Sequence, residues 1–195
     1  MDLIAEDPGA YLDADEVIDH GHPSIRALAA SLRSAHPRDV DFARAAFEHV
    51  RDTVTHSADA DDDRVTLSAS SALAAGTGLC YAKSHLLAAI LRAEGIPTGL
   101  CYQLLTDDGS TFMVHGLVAV HLEGGWHRQD PRGNKPGVDA QFSLGREQLA
   151  WPVDPSIGEQ DYPTVYRNAS PAVVAALRGA SDLRELYDHG LPNHL

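Results

Sequence analysis

The chain has 195 residues, 44% hydrophobic and 22% charged. It can therefore bury a substantial core without a metal or disulfides, and we expect a single domain over residues 1–195. The excess of 28 acidic over 15 basic residues gives a net charge of −13, which disfavours nucleic acid and anionic lipid as partners. No segment approaches the ~20 apolar residues of a membrane helix, and the N-terminus lacks a leader pattern. We therefore expect a cytoplasmic protein that does not bind membranes.

Two amphipathic helices are predicted in the first third of the chain. One begins after Pro23, and the other runs from about Asp39 to Thr53 with apolar residues at helical spacing. The acidic run from Asp59 to Asp63 follows and predicts a solvated loop. A cation site is the alternative, but the run lacks the glycine and terminal glutamate of a calcium loop. We expect no metal and no cofactor.

A third helix is predicted to begin at Cys80 and to end before Pro97. A short helix over residues 68–73 and the turn Gly76-Thr77-Gly78 precede it. Its apolar residues cover most of its circumference, so we expect a central helix covered by a sheet. Its few polar positions supply little polar surface: Lys83, Ser84, Arg92 and Glu94.

Strands are predicted after Pro97. Residues 99–105 and 114–122 are short runs with β-branched and aromatic residues, and Glu123-Gly124-Gly125 predicts a tight turn into a third strand over residues 126–130. Helices followed by strands predict an α+β fold. We expect residues 136–195, with short helices at 172–177 and 182–187, to wrap over the sheet and shape a pocket rim.

Cys80 is the candidate nucleophile, because a thiol attacks a carbonyl as a thiolate and a helix N-terminus stabilises an anion. The same backbone N–H groups can receive the oxyanion of a tetrahedral intermediate, and Tyr102 or Gln103 could contribute from the next strand. The alternative is that Cys80 is a small buried hydrophobic residue. The second cysteine, Cys101, could form a bridge or redox pair with it, although the CxxC spacing of such pairs is missing.

His115, at the head of one strand, and Asp130, at the end of its partner, are the candidate base and its orienting carboxylate. A turn at Gly124-Gly125 would place Asp130 opposite Ala119, and a turn at Glu123-Gly124 would place it opposite Leu117. Neither register places Asp130 directly opposite His115. A leaning side chain, a bulge or strand twist must therefore bring the two side chains together. An ordinary strand histidine and a turn-capping aspartate are the alternatives, and His121 is the rival base.

Four stretches of the chain are informative together: ARAAFEHVR at 43–51, GTGLCYAKSHLLAAILRAEGIPTGLCY at 76–102, VHGLVAVHLEGGWHRQ at 114–129 and DPRGN at 130–134. In this order, over about residues 40–135, they resemble the transglutaminase-like superfamily of bacterial proteins. In that superfamily a cysteine starts the central helix, a histidine opens a hydrophobic strand, and Asp-Pro follows about fifteen residues later. The chain departs from it at Gly116 and Leu117, where many members carry Ala-Trp.

The resemblance implies that Cys80 is the nucleophile, His115 the base and Asp130 its orienting partner, on a papain-related α+β core. The implied reaction is acyl transfer from a peptide or other amide substrate, with hydrolysis favoured over transglutamination. A non-catalytic module that binds a peptide or partner protein is the alternative. The oligomeric state stays open.

Overall fold

The fold is described from a computed structural model that covers residues 1–195, apart from the side chain of His189. The elements, in chain order, are α1 (Pro23–Ala35), α2 (Asp39–Thr53), β1 (Thr55–His56), α3 (Ala69–Ala75), β2 (Thr77–Gly78), α4 (Cys80–Ala93), β3 (Thr98–Thr106), β4 (Phe112–Leu122), β5 (Gly125–Gln129), β6 (Gln160–Asp161), α5 (Pro171–Gly179) and α6 (Leu183–Glu185).

The main sheet has the strand order β5-β4-β3-β6, and every neighbouring pair in it is antiparallel. Strands β3 and β4 pair over nine residues, from Thr98 opposite Val120 to Thr106 opposite Phe112. The helices α1, α2 and α3 pack around α4, which itself lies against β3 and β4. The predicted α+β fold, with a central helix on an antiparallel sheet, is confirmed.

The C-terminal quarter does more than wrap over the sheet as predicted. Strand β6 supplies an edge of the main sheet by pairing with β3, and Tyr166 forms a further bridge with Leu100. A small parallel pair, β1 with β2, was also not predicted. These strands have two residues each, too few to show an alternating pattern in the sequence.

Helix α4 is buried along almost its whole length, in agreement with the predicted central helix covered by a sheet. Lys83, Ser84 and Arg92 are at most 4% exposed, so they supply almost no surface. Each is satisfied by backbone carbonyl groups, because a buried donor needs a partner. Lys83 donates to Arg51 and Val54, Ser84 to Gly116, and Arg92 to Asp13, Thr98 and Arg167.

Across the described residues, no helix combines the length and the apolar character that crossing a membrane requires.

Candidate active site

Cys80 is the first residue of α4, and its side chain is 8% exposed. Two glycines make the preceding turn possible. Gly76 has φ = 65°, a left-handed conformation that favours glycine. A Cβ on Gly78 would lie 2.8 Å from Thr66 Oγ1, closer than such atoms approach. The backbone N–H of Gly116 on β4 is directed at the sulfur, with an N–Sγ distance of 3.5 Å.

His115 and Asp130 are in direct contact. The hairpin pairs Leu122 with Gly125, so the turn lies at Glu123-Gly124, the second of the two predicted registers. Asp130 follows the last paired residue of β5 and lies one diagonal step from His115. The side chains close this gap, since His115 Nε2 lies 2.8 Å from Asp130 Oδ2.

The Asp130 carboxylate is fully buried and is held by backbone groups from the chain that follows it. Arg132 N–H donates to Oδ1 at 3.1 Å, and Ala150 N–H donates to Oδ2 at 3.1 Å. Burial alone would raise the pKa of Asp130, but the charge of His115 and these hydrogen bonds hold that pKa below its usual value. The Asp130 carboxylate is therefore held in place, in its charged form, next to the imidazole of His115.

The same electrostatics act on His115, which is 5% exposed. Burial would lower its pKa, but the charges of Asp130 and Cys80, and hydrogen bonds with both, raise that pKa to about 10. The imidazole therefore favours its protonated form between a carboxylate and a sulfur. Such an arrangement suits a thiolate–imidazolium pair.

The other sequence candidates lie elsewhere. His121 packs edge-on against Trp126, with ring centroids 5.2 Å apart. Cys101 is fully buried, both cysteines are free, and burial raises the pKa of Cys101 to about 12. The Tyr102 hydroxyl accepts a hydrogen bond from Ser170 N–H, and Gln103 donates to Asp161. These contacts do not support the rival base, a cysteine bridge or the two oxyanion candidates.

Cys80 and His115 line one cleft. Its walls come from separate parts of the chain: His56, Leu79, Met113, Arg132, Trp151 and Tyr187. Among the described residues, no cluster of three or more His, Cys, Asp or Glu side chains is arranged to hold a metal ion.

Three residues of this wall that contact or adjoin the site were not predicted from the sequence: Arg132, Trp151 and His56. Arg132 forms an ion pair with Asp59, so the acidic run is not a purely solvated loop as predicted. The Arg132 guanidinium lies 5.1 Å from the Trp151 ring, and the Trp151 ring is edge-on to His115 with centroids 5.2 Å apart. Arg132 falls within the DPRGN stretch, so its position beside Asp130 was the one available indication.

Residues 26–131 match the family profile of the transglutaminase-like superfamily. The match takes in 106 of the 195 residues and includes the region around Cys80, His115 and Asp130. The chain belongs to this superfamily, which generally contains cysteine-dependent enzymes.

Solved structures give a similar fold. A proposed cysteine protease from Cytophaga hutchinsonii is 16% identical, with a TM-score of 0.52, over 63% of this chain and 40% of that one. The periplasmic domain of TgpA from Pseudomonas aeruginosa is 25% identical, with a TM-score of 0.45, over 65% and 48%. A TGase is 20% identical, with a TM-score of 0.44, over 62% and 34%. No curated protein matches the sequence.

The chain thus spans less than half the length of each of these structures. At this level of identity, the similarity to the Cytophaga hutchinsonii protein concerns the fold.

Proposed function

We propose that the protein is a thiol-dependent acyl-transfer enzyme that acts on peptide or other amide carbonyls. Cys80 is the nucleophile, His115 the general base and acid, and Asp130 the positioning carboxylate. The observation that carries the proposal is the 2.8 Å contact between His115 and Asp130 beside a cysteine that starts a helix in a cleft.

The reaction follows from the charges at the site. The Cys80 thiolate forms a bond to the substrate carbonyl carbon, and the π electrons move to oxygen to give a tetrahedral oxyanion. When the intermediate collapses, the C–N bond breaks and protonated His115 gives its proton to the leaving amine. The product is an acyl-thioester on Cys80. Neutral His115 then takes a proton from the acceptor that attacks this thioester.

Water is the acceptor that we propose, so that the outcome is hydrolysis rather than transglutamination. An amine competes with water only if the protein binds it. Three carboxylates line the cleft, those of Asp59, Asp107 and Glu159. Asp59 is paired with Arg132 and Lys135, and Glu159 accepts hydrogen bonds from the backbone N–H groups of Thr106, at 3.0 Å, and Asp154, at 2.8 Å. An ammonium group would therefore have to compete with these partners at two of the three carboxylates.

Selective alkylation tests the nucleophile. With iodoacetamide near pH 7, we expect Cys80 to be alkylated at least about tenfold faster than Cys101, since reaction requires a thiolate that reagent can reach. Cys101 is buried, and its pKa of about 12 leaves it almost wholly protonated. Site-resolved mass spectrometry measures both rates, and His115→Ala should slow only Cys80.

The matched control is His121→Ala, which removes a histidine of the same strand that packs against Trp126. It should leave the rate at Cys80 unchanged. Equally slow alkylation of both cysteines in the wild type would contradict the proposal and favour a non-catalytic binding module.

A further inference from the structure

His56 lies beside the turn that delivers Cys80. It belongs to β1, where its backbone partner is Gly78 of the parallel strand β2, two residues before the cysteine. His56 also lines the same cleft as Cys80 and His115, although its side chain is only 8% exposed. The proposed mechanism above gives it no role.

The two ring nitrogens of His56 differ. Nδ1 is fully buried and has no hydrogen-bond partner among the described residues. Arg132 Nε, on the same cleft wall, is likewise buried without a partner in the described part of the chain. The two atoms are not bonded to each other, since neither has a partner among the described residues, although a guanidinium N–H can only donate and Nδ1 of a neutral imidazole can accept. If Nδ1 is the acceptor, the imidazole proton resides on Nε2.

The surroundings of His56 favour its neutral form. Burial is the main cause, and the positive charges of Arg132, Lys83 and His115 outweigh the opposing carboxylate of Asp59, so that the pKa of His56 is lowered to about 3. A neutral imidazole at neutral pH is a poor acid but a good hydrogen-bond donor. It remains neutral, and therefore a donor of this kind, over the whole pH range in which a cysteine enzyme works.

We propose that His56 is a catalytic hydrogen-bond donor whose Nε2–H stabilises the oxyanion formed when Cys80 attacks a carbonyl group. The inference rests on the proposed function of Cys80. It adds a side-chain donor to the backbone N–H groups at the start of α4, whereas the Gly116 N–H is directed at the sulfur.

The test compares two reactions of the same sulfur. With p-nitrophenyl acetate, a C–S bond forms and the carbonyl π electrons move to oxygen. The oxyanion then collapses, expels p-nitrophenolate and leaves an acetyl-thioester. With iodoacetamide, the sulfur displaces iodide in one step and no oxyanion forms. An oxyanion donor contributes to the first reaction alone, whereas loss of the fold or of the thiolate slows both.

The variants are His56→Phe, which keeps a ring without a donor, and His56→Gln, whose amide N–H can replace Nε2–H. Cys80→Ala sets the background rate. We expect His56→Phe to acylate about 10²-fold more slowly, the usual loss for one oxyanion donor. Its alkylation rate should stay within about twofold of the wild type, since the thiolate is unaffected. His56→Gln should regain most of the acylation rate.

Acylation of His56→Phe at the wild-type rate would overturn the inference, and so would an equal loss of both reactions in both variants, which indicates a structural role. Failure of the wild-type Cys80 to outpace Cys101 with iodoacetamide would instead contradict the proposed function itself. The two failures are therefore distinguishable.

Discussion

Lys83 is a fully buried lysine three residues after Cys80 on α4. Its Nζ donates to the carbonyl oxygens of Arg51, at 3.3 Å, and Val54. These carbonyls lie at the C-terminal end of α2, where a helix attracts positive charge. Lys83 thereby fastens the end of α2, and the strand β1 that follows it, to the helix that carries the sulfur.

The free energy of unfolding should depend on pH because Lys83 titrates at different pH values in the folded and unfolded states. Burial, with the charge of Arg132, lowers its pKa from 10.5 to about 7 in the folded state. Between these values the unfolded chain binds more protons than the folded one, so stability rises with pH, by up to about 1.4 kcal/mol per pH unit. We expect the free energy of unfolding of the wild type, relative to Lys83→Met, to increase from pH 7 towards 10.

Urea unfolding of both proteins at a series of pH values measures this difference. Below pH 7 both the folded and the unfolded lysine are protonated, so the difference should level off there, which serves as an internal control. A difference that is constant from pH 6 to 10 would contradict the assignment.

At the residue scale, the sequence identified the groups whose position follows from local rules. Cys80 follows a glycine turn at a helix start, and Asp130 follows a hairpin of fixed register. It did not identify His56 or the burial of Lys83, because both depend on contacts between segments far apart in the chain. A lysine on a mostly apolar helix predicts surface unless its carbonyl partners are known.

At the scale of elements, the contact between α4 and β4 holds the sulfur beside the imidazole. Tyr81 donates its hydroxyl proton to the carbonyl of Val114, and Ser84 donates to that of Gly116 at 3.1 Å. A Cβ on Gly116 would lie 2.8 Å from Tyr81 Cδ1. The glycine at position 116, where alanine is common in the superfamily, therefore has a packing reason, since the Tyr81 ring lies against this residue.

Gly116→Ala should separate the two elements. We expect a loss of about 1–3 kcal/mol in the free energy of unfolding from overpacking, together with slower alkylation of Cys80 as the helix start moves away from β4. Gly21→Ala is the matched control, because nothing lies within 4 Å of the new methyl group. Chemical denaturation and mass spectrometry measure the two effects. A free energy of unfolding and an alkylation rate equal to those of the wild type would contradict this role of the contact between Gly116 and Tyr81.

The predictability of the elements depended on their length. The helix α2 begins and ends at the predicted residues because its periodic pattern spans four turns, and the β4–β5 register is one of the two that the turn residues allowed. The two-residue strands have no pattern of their own. They form because neighbouring segments offer backbone partners, which only the assembled fold supplies.

At the scale of the molecule, Arg128 joins the two edges of the main sheet. This β5 residue is 4% exposed and binds Asp161 of β6 and Glu147 of the intervening segment. Gln103 of β3 also donates to Asp161, at 2.9 Å. The C-terminal quarter is thus tied to the sheet by buried charge as well as by strand pairing.

Arg128→Met should lower the free energy of unfolding by about 3 kcal/mol, the lower end of the range for breaking a buried ion pair, because Glu147 can still reach water. The double variant with Asp161→Asn should recover part of this loss, since it removes the unpaired charge. Arg146→Met, at an exposed position, is the control. Equal stability of the wild type and Arg128→Met in guanidinium unfolding would contradict this role.

The expected single domain, cytoplasmic location and absence of membrane or nucleic-acid partners stay predictions. They were drawn from the length, composition, net charge and hydropathy pattern of the chain, which do not describe its contacts.

The amide of Ala150 has a consequence for any shortened version of the protein. It donates a hydrogen bond to Asp130 Oδ2, the same carboxylate oxygen that contacts the His115 imidazole. Ala150 nevertheless lies nineteen residues beyond the last residue of the family match. A fragment cut at residue 131 would keep all the matched residues, with Cys80, His115 and Asp130 among them, and would lose the Ala150 N–H donor, Trp151 and the strand β6. The segment that holds the Asp130 carboxylate in place is therefore longer than the segment by which the family is identified.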